Sequence, residues 1–306
     1  MRKYQDSVTS KSVFSKKTEF ELRRIKRYDN KNIILPKWIN LKNELIFSEY
    51  DLSATSQRLL YFVMSKFSLD DFYSDNSIYD LKGKFDKVNE SNYSYIYEEK
   101  DLRSIIVPAS ILSKVINNSK SARKTKNYEP LFAAISQLKI ANITINTIKD
   151  NKKFSQTFKF FDNAEIFILE RESNREQIFV QLTFSIQYMP YIVACSGFTK
   201  VDFDKVCSFK SVYAMRFFHW FLYALKNKKS ARFSVSIKEI RKRFKFSDNM
   251  YKQHFDARFI QKPIDEIMKN TDFYIFVEEL EKKHKTKNRK KIEVASFNIK
   301  QTNDLF

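Results

Sequence analysis

The chain is short of glycine and cysteine, and each shortage excludes a class of function. Its 306 residues include two glycines, Gly83 and Gly197. The phosphate loop of ATP-driven helicases and helicase loaders needs two glycines with fixed spacing before a lysine, so that loop is excluded. Cys195 and Cys207 lack the spacing of metal and redox pairs. They are predicted to be small buried thiols in a reducing cytoplasm.

Histidine and long apolar runs are also scarce. The three histidines, His219, His254 and His284, are far apart in sequence. A rolling-circle nickase instead needs a histidine pair that flanks one hydrophobic residue, so we predict no metal site, no cofactor and no catalytic activity. No segment reaches the ~18 consecutive apolar residues of a membrane-spanning helix. Residues 1–4 begin no secretion signal, which predicts a cytoplasmic protein with no membrane partner.

Positive charge is abundant instead, and it is segregated along the chain. The 56 Lys and Arg exceed the 36 Asp and Glu by 20. Residues 1–43 carry 12 cations against 4 carboxylates, residues 106–165 carry 10 against 4, and residues 206–306 carry 23 against 11. Residues 44–105 are acidic, with 7 cations against 12 carboxylates. Such segregation is typical of proteins that bind nucleic-acid phosphates, although solvated surfaces alone also produce lysine-rich compositions.

One order of secondary-structure elements occurs twice in the chain. Ser53 fits the N-cap of a helix that precedes the first copy. That copy begins with an apolar strand at 105–107 and a helix from Pro108, a residue suited to the first helical turn. After a basic linker, apolar spacing predicts a second helix from about Tyr128. Two strand patterns complete the copy, at 140–146 and 154–161.

The second copy repeats this order near the C-terminus. A strand at 233–235 leads to Ser236, which forms a capping box with Glu239 three residues later. A second helix is predicted from about Met250, and two strands follow at 273–277 and 292–299. That second helix is predicted to bury Tyr251, Phe255, either Phe259 or Ile260, Ile264 and Ile267.

Strand, helix, turn, helix and hairpin are the elements of a winged helix-turn-helix. The chain is therefore predicted to be an α+β protein with two tandem winged helix-turn-helix domains. We divide it into a flexible basic arm at 1–34, an N-terminal domain at 35–196 with an acidic insertion at about 70–100, and a C-terminal domain at 197–306. Residues 212–225 are apolar nearly all round and predict a buried helix.

Thirteen side chains are candidates for contacts to double-stranded DNA. Recognition helices of such motifs enter the major groove, where Arg pairs best with guanine and Gln with adenine. Cations on a wing hold phosphates and set register. The first copy contributes Lys120, Arg123, Lys124 and Lys126; the second contributes Arg243, Lys245, Asn249, Lys252, Gln253 and Arg258; its wing contributes Lys285, Lys287 and Arg289.

Three stretches together carry a resemblance to a known family. Residues 43–60 contain NELI, LS and QRLL in that order. Residues 198–218 contain FT and then SVYAMRFF, close to the pattern "FT…S.YA.RLYE.L". Residues 251–272 contain FDARFI, PIDEI and NTD, similar to "Y..FK.RVL.PAI.EIN..TD". In this order and spacing they resemble the Rep family of plasmid replication initiators, winged-helix proteins that bind repeated origin sequences called iterons.

The chain departs from the family patterns at a few positions. Asp256 stands where the family often has Lys, and Pro263 falls one place later than the family proline. His219 and Trp220 replace the acidic end of the RLYE motif. The first departure bears on individual base contacts, and none of them alters the expected fold.

The resemblance implies partners that the residues alone do not show. Repeated double-stranded origin sites would be the DNA target. The N-terminal domain would provide a dimer contact, with dimers repressing their own gene and monomers opening the origin. Host replication proteins, a helicase and a host initiator, would be recruited.

Two other readings of the sequence remain. Winged helices also occur in transcription regulators with no replication role, and only the family motifs favour an initiator over a regulator. A protein-interaction module with an acidic partner would also be basic, but the paired helix-turn-helix layout argues against it.

Overall fold

The computed structural model describes residues 15–17, 26–27, 35–67, 103–117, 128–149, 152–170, 176–192, 197–226, 228–246, 255, 257–278 and 294–301. The helices are α1 (Asn43–Ile46), α2 (Ala54–Met64), α3 (Ala109–Asn117), α4 (Glu129–Ile140), α5 (Met189–Ile192), α6 (Phe203–Ser208), α7 (Val212–Leu225), α8 (Ile237–Arg243) and α9 (Lys262–Asn270). A π-helical turn, Ala257–Gln261, precedes α9. The strands are β1 (Ser15–Lys17), β2 (Lys26–Arg27), β3 (Trp38–Lys42), β4 (Ser104–Pro108), β5 (Asn142–Lys149), β6 (Lys152–Lys159), β7 (Phe161–Glu170), β8 (Glu176–Phe184), β9 (Phe198–Asp202), β10 (Ser230–Ser236), β11 (Phe273–Glu278) and β12 (Val294–Gln301).

The first winged-helix domain is built on the helices α2, α3 and α4, which pack against one another. α2 begins as predicted, because the Ser53 side chain accepts a hydrogen bond from the Ser56 N–H at 3.1 Å. The apolar face of α2 is in the core, with Leu59 and Val63 fully buried. The predicted wing is the antiparallel hairpin β5–β6, which follows α4 directly.

Two details of this domain differ from the sequence prediction. Pro108 is the last residue of β4 and α3 begins at Ala109, because a residue without an N–H ends a strand ladder as readily as it starts a helix. The predicted strand over 154–161 is divided by Phe160, whose N–H bonds to Ala141 O and whose carbonyl accepts from Ser185 N. β6 ends before Phe160 and β7 begins after it.

A five-stranded sheet in the order β1-β7-β8-β4-β2 supports the first domain. β4 therefore pairs with β8 and β2, whereas the wing hairpin β5–β6 forms a separate sheet. The two edge strands come from the predicted flexible arm, and both pair in parallel with their neighbours. The arm thus departs from the predicted irregular chain at these points, because a sheet edge offers unpaired N–H and C=O groups to any extended segment.

The second winged-helix domain surrounds the helix α7. Phe217, Trp220 and Phe221 are fully buried there, which confirms the prediction of a buried helix. α8, the π-helical turn and α9 follow, and the sheet β10-β12-β11 closes the domain. Here the first strand, β10, does pair with the wing strand β12, unlike β4 in the first domain. The α+β class with two winged-helix domains is confirmed.

A strand pair and contacts of α7 join segments that are far apart in the sequence. β3 pairs antiparallel with β9, although 155 residues separate their nearest ends. Trp220 donates its indole N–H to the carbonyl of Ile46, at the end of α1, at 2.8 Å. Buried residues of both domains form one continuous hydrophobic cluster.

Candidate nucleic-acid interface

The structure describes three of the thirteen side chains predicted to contact DNA. Arg243 and Lys245 lie at the C-terminal end of α8, and Arg258 lies in the π-helical turn. The other ten lie outside the described residues: Lys120, Arg123, Lys124, Lys126, Asn249, Lys252, Gln253, Lys285, Lys287 and Arg289. The acidic segment at 70–100 also lies outside them.

α8 presents cations on its outer surface because its apolar side chains all face the core. Ser236 caps the helix by accepting a hydrogen bond from the Glu239 N–H at 3.0 Å, as predicted for the capping box. Ile237 and Ile240 are buried. Two lysines on the opposite side are exposed, Lys238 and Lys242.

Arg243 is turned toward the junction of the two domains. Its guanidinium lies 4.8 Å from the ring centroid of Phe47 and 5.4 Å from that of Trp220. Its Nε donates to Glu239 Oε1 at 2.6 Å, and only 20% of the side chain is exposed. Arg243 therefore packs between aromatic rings, and its proposed contact with DNA remains a prediction.

Lys245 stands at a backbone position that normally takes glycine. Its φ is +51°, in the left-handed region. Its N–H bonds to Lys242 O at 3.1 Å, and the next N–H, of Phe246, bonds to Arg241 O at 2.9 Å. These two bonds are the Schellman arrangement that ends a helix. The side chain of Lys245 is exposed beyond this end of α8, where a phosphate could reach it.

Glu49 connects the two domains beside this surface and was not predicted from the sequence. Its carboxylate accepts hydrogen bonds at 2.7 Å from Lys242 Nζ and from Asn146 Nδ2, which lies in the wing strand β5. Partial burial raises the pKa of Glu49, but the bonds from Lys242 and Asn146 and the nearby positive charges outweigh it, so the pKa is lowered. The ionised carboxylate thus holds α8 against the wing of the first domain.

The π-helical turn resolves an ambiguity in the predicted recognition helix. The sequence placed either Phe259 or Ile260 in the core, and both are buried. A turn with i→i+5 spacing is wider than an α-turn, so it brings two consecutive residues to the core face. Arg258, just before them, is exposed, and its guanidinium lies 5.5 Å from the Phe259 ring centroid.

The same turn accounts for the late proline of the family motif. Pro263 lies in the first turn of α9, directly after the π-helical turn. The family pattern has one residue fewer between Phe255 and the proline. An extra residue in a helix is accommodated as a π-turn, which lets the segments on both sides keep their buried faces. Phe255 and Ile264 accordingly both remain in the core.

Comparison with known families agrees with two winged-helix units in one chain, and the first match extends through β9 into α7. The family model described as "Initiator Replication protein, WH1" matches residues 38–222, and the model described as "Initiator Rep protein, WH2" matches residues 236–300. The chain belongs to the initiator replication protein family. No curated protein matches the chain.

As a member of this family, the initiator is a DNA-binding protein that starts plasmid replication. The family is not a recognised family of catalytic enzymes. Within the described ranges, no three His, Cys, Asp or Glu side chains lie close enough to hold a metal ion. No described helix of the initiator is long and apolar enough to cross a membrane.

His219 of the initiator lies on the buried helix α7, and its side chain packs in the core. It is buried, and its Nδ1 lies 3.4 Å from the hydroxyl of Tyr61. Burial, with the nearby Arg216 charge as a second cause, lowers the pKa of His219 to about 3. The imidazole is therefore neutral at physiological pH.

Sequence reasoning did not single out two buried arginines of the initiator, which belong to the motifs QRLL and SVYAMRFF. Arg58 lies in α2 and Arg216 lies in α7. The sequence did carry a signal, since each arginine follows a helix-capping serine by five residues, Ser53 and Ser211. Only the structure reveals which atoms they bind.

Proposed function

We propose that the initiator binds repeated double-stranded origin sites, the iterons, with one winged-helix domain on each part of a repeat. The observation that supports this most is the presence of two winged-helix domains, each with its wing hairpin, in one chain of charge +20. In the second domain, exposed cations lie along α8, just beyond its C-terminal end and in the π-helical turn: Lys238, Lys242, Lys245 and Arg258.

Each predicted contact has a proposed role. Arg258, Lys252, Gln253 and Asn249 would read base edges from the recognition helix. Lys285, Lys287 and Arg289 would hold flanking phosphates from the wing. Lys120, Arg123, Lys124 and Lys126 would do so for the first domain, while Lys245 and Arg243 would meet phosphates beside α8.

We further propose, from the family resemblance, that the protein is a homodimer in equilibrium with a monomer. The dimer would repress its own gene, and the monomer would open the origin with a host helicase and a host initiator. The division into an arm at 1–34 and domains at 35–196 and 197–306, and a cytoplasmic location, belong to the same proposal.

Footprinting of the purified protein on the DNA around its own gene tests this function. Protection of several evenly spaced direct repeats is the expected result. Affinity should fall steeply with salt, because each neutralised phosphate releases counterions and contributes roughly −0.9 to the logarithmic slope. A single inverted site would favour the transcription regulator, and equal binding to any DNA would contradict both.

A further inference from the structure

The two winged-helix domains share a buried arginine at corresponding positions. Arg58 follows the cap Ser53 by five residues in α2, and Arg216 follows the cap Ser211 by five residues in α7. Arg58 is 9% exposed and Arg216 is 3% exposed. A third correspondence concerns the caps themselves, because a side chain of the third core helix of each domain, α4 or α9, accepts a hydrogen bond from the N–H of the capping serine.

That third correspondence is visible in the distances. Gln137 of α4 accepts the N–H of Ser53 at 3.0 Å. Glu266 of α9 accepts the N–H of Ser211 at 3.2 Å. The helices α2 and α7 therefore occupy equivalent places in their domains, and their arginines can be compared atom by atom.

Each arginine binds one carbonyl in its own domain. Arg58 Nη1 donates to the carbonyl of Ile116, near the C-terminal end of α3, at 2.8 Å. Arg216 Nη1 donates to the carbonyl of Arg243, at the C-terminal end of α8, at 2.8 Å. Both acceptors are at the end of the second helix of the domain.

Each arginine also binds the segment that leads into the equivalent helix of the other domain, α7 for Arg58 and α2 for Arg216. Arg58 Nη2 donates to the carbonyl of Phe209, two residues before the cap Ser211. Arg216 donates to the carbonyls of Tyr50 at 3.0 Å and Ser48 at 2.5 Å, both just before the cap Ser53. The contacts are thus reciprocal across the junction.

This arrangement differs from an ordinary buried ion pair. Among the described residues, no carboxylate lies within ion-pairing distance of either guanidinium. The acceptors are main-chain carbonyls, whose positions depend on the course of the backbone and not on a side-chain rotamer. A planar guanidinium offers several N–H donors in a fixed fork, so one group can fix two backbone segments relative to each other. A lysine ammonium has no such fork.

A buried arginine elsewhere in the chain provides a contrast. Arg103 is 6% exposed, and its Nη1 donates to Asp162 at 2.6 Å and to the carbonyl of Phe184. Both partners belong to the five-stranded sheet of the first domain. Arg103 therefore stabilises one domain without connecting it to the other.

We propose that Arg58 and Arg216 are positioning residues that hold the two winged-helix domains at one fixed spacing and angle for DNA. The inference rests on the proposed function, in which both domains contact the same repeat. Fixed spacing means that the second domain binds without a further loss of orientational freedom once the first has bound. Without these two arginines, the remaining contacts, the β3–β9 pair, Glu49 with Lys242 and Trp220 with Ile46, would fix the relative angle of the domains less tightly.

The positioning itself is measured without DNA, by the distance between spin labels on the two domains. Labels are attached at Lys139→Cys in α4 and Lys269→Cys in α9, both exposed, after Cys195→Ser and Cys207→Ala. The parent should give one narrow distance distribution. Arg58→Lys with Arg216→Lys should at least double its width, and Arg103→Lys, the matched control, should not. Equal widths in the parent and the double variant would overturn the proposal.

The consequence for DNA is measured with duplexes that carry one footprinted repeat. Inserting 5 base pairs between its two protected parts turns the second part by about half a helical turn. We expect this insertion to weaken binding of the parent tenfold or more and that of the double variant less than threefold. The insertion should weaken binding of Arg103→Lys by the same factor as it weakens binding of the parent. A double variant whose affinities all fall by one common factor would contradict the proposal.

The two measurements separate failure of this inference from failure of the proposed function. If the parent protects no repeat, the proposed function fails, yet the spin-label widths still decide whether the arginines fix the domains. If Arg216→Lys does not fold by circular dichroism, Arg58→Lys alone serves, because Arg58 is less buried and makes two of these five bonds.

Discussion

Lys226 and Lys245 adopt positive φ angles, +44° and +51°, although neither is glycine. Each ends a helix, α7 or α8, in the left-handed conformation. A side chain with a Cβ is strained there by roughly 1 kcal/mol relative to glycine. Lys226 was never a candidate for DNA contact, so the two positions form a matched pair for separating strain from function.

Replacing either lysine by glycine should therefore stabilise the fold, but only one replacement should weaken DNA binding. Lys245→Gly and Lys226→Gly are each expected to raise the free energy of unfolding by about 1 kcal/mol in urea titrations. Lys245→Gly should also lower the slope of log affinity against log salt by about 1. Equal salt slopes for the two variants would show that Lys245 does not contact a phosphate.

The buried His219 makes stability depend on pH. Its folded pKa of about 3 lies below the ordinary value of 6.5, so the unfolded chain binds the proton more readily. The stability contributed by the neutral imidazole is full above pH 6.5 and is lost as the pH falls toward 3, by about 1.4 kcal/mol per pH unit.

A His219→Gln variant should have a lower free energy of unfolding at pH 7.5, and this free energy should change less with pH than that of the parent. Urea unfolding of both proteins at pH 4.5, 5.5, 6.5 and 7.5 measures this difference, and the other titrating groups cancel between them. The gap in unfolding free energy should narrow steadily below pH 6.5. Two parallel curves would show that His219 is not the group responsible.

Residues whose partners are near in sequence were the ones predicted well. The caps Ser53 and Ser236 each bond a backbone N–H three residues later, so the local sequence determines them. Arg243 is predicted to contact DNA, and its packing over Phe47 depends on the fold of the whole chain. No local pattern reports such a partner.

At the scale of elements, the presence of a helix or strand was easier to predict than the partner with which a strand pairs. The apolar periodicity of α4, the nearly uniform apolar character of α7 and the β-branched runs of the wings identified those elements correctly. The pairing of β4 with β8 was not foreseen, because it depends on the long β7–β8 hairpin and not on β4 itself. For the same reason the parallel edge strands β1 and β2 were missed.

The π-helical turn determines how the start of the recognition helix is oriented. An extra residue in a helix rotates everything before it by about 100° relative to the part that follows. The side chain of Arg258 thus points in a direction that α9 alone would not give. Gln261, exposed at the end of the turn, is the residue whose removal restores the family spacing.

Deletion of Gln261 should therefore impair specific binding more than loss of its side chain does. The deletion is expected to lower affinity for a footprinted repeat on the order of tenfold or more, as when one or more base contacts are lost. Affinity for random duplex should change little. Gln261→Ala, the control, keeps the turn and should bind as the parent does. Equal effects of the two variants would contradict this role for the turn.

At the scale of the molecule, the two winged-helix domains are joined by more than a linker. β3 pairs with β9, Glu49 binds Lys242, and Trp220 donates to the carbonyl of Ile46. The sequence predicted two domains from a repeated element order, which says nothing about how the copies pack. The junction depends on residues more than 150 positions apart, so it is a property of the fold that no local pattern encodes.

This junction predicts that the whole protein unfolds in one step, although chains above about 150 residues often do not. In Trp38→Phe, the emission of Trp220 reports on α7 while far-ultraviolet circular dichroism reports on all elements. Trp38 is only half-buried, so its replacement disturbs the fold little. The two urea midpoints should coincide, and the calorimetric and van't Hoff enthalpies should agree. Two separate transitions would show that the junction contacts do not couple the unfolding of the two domains.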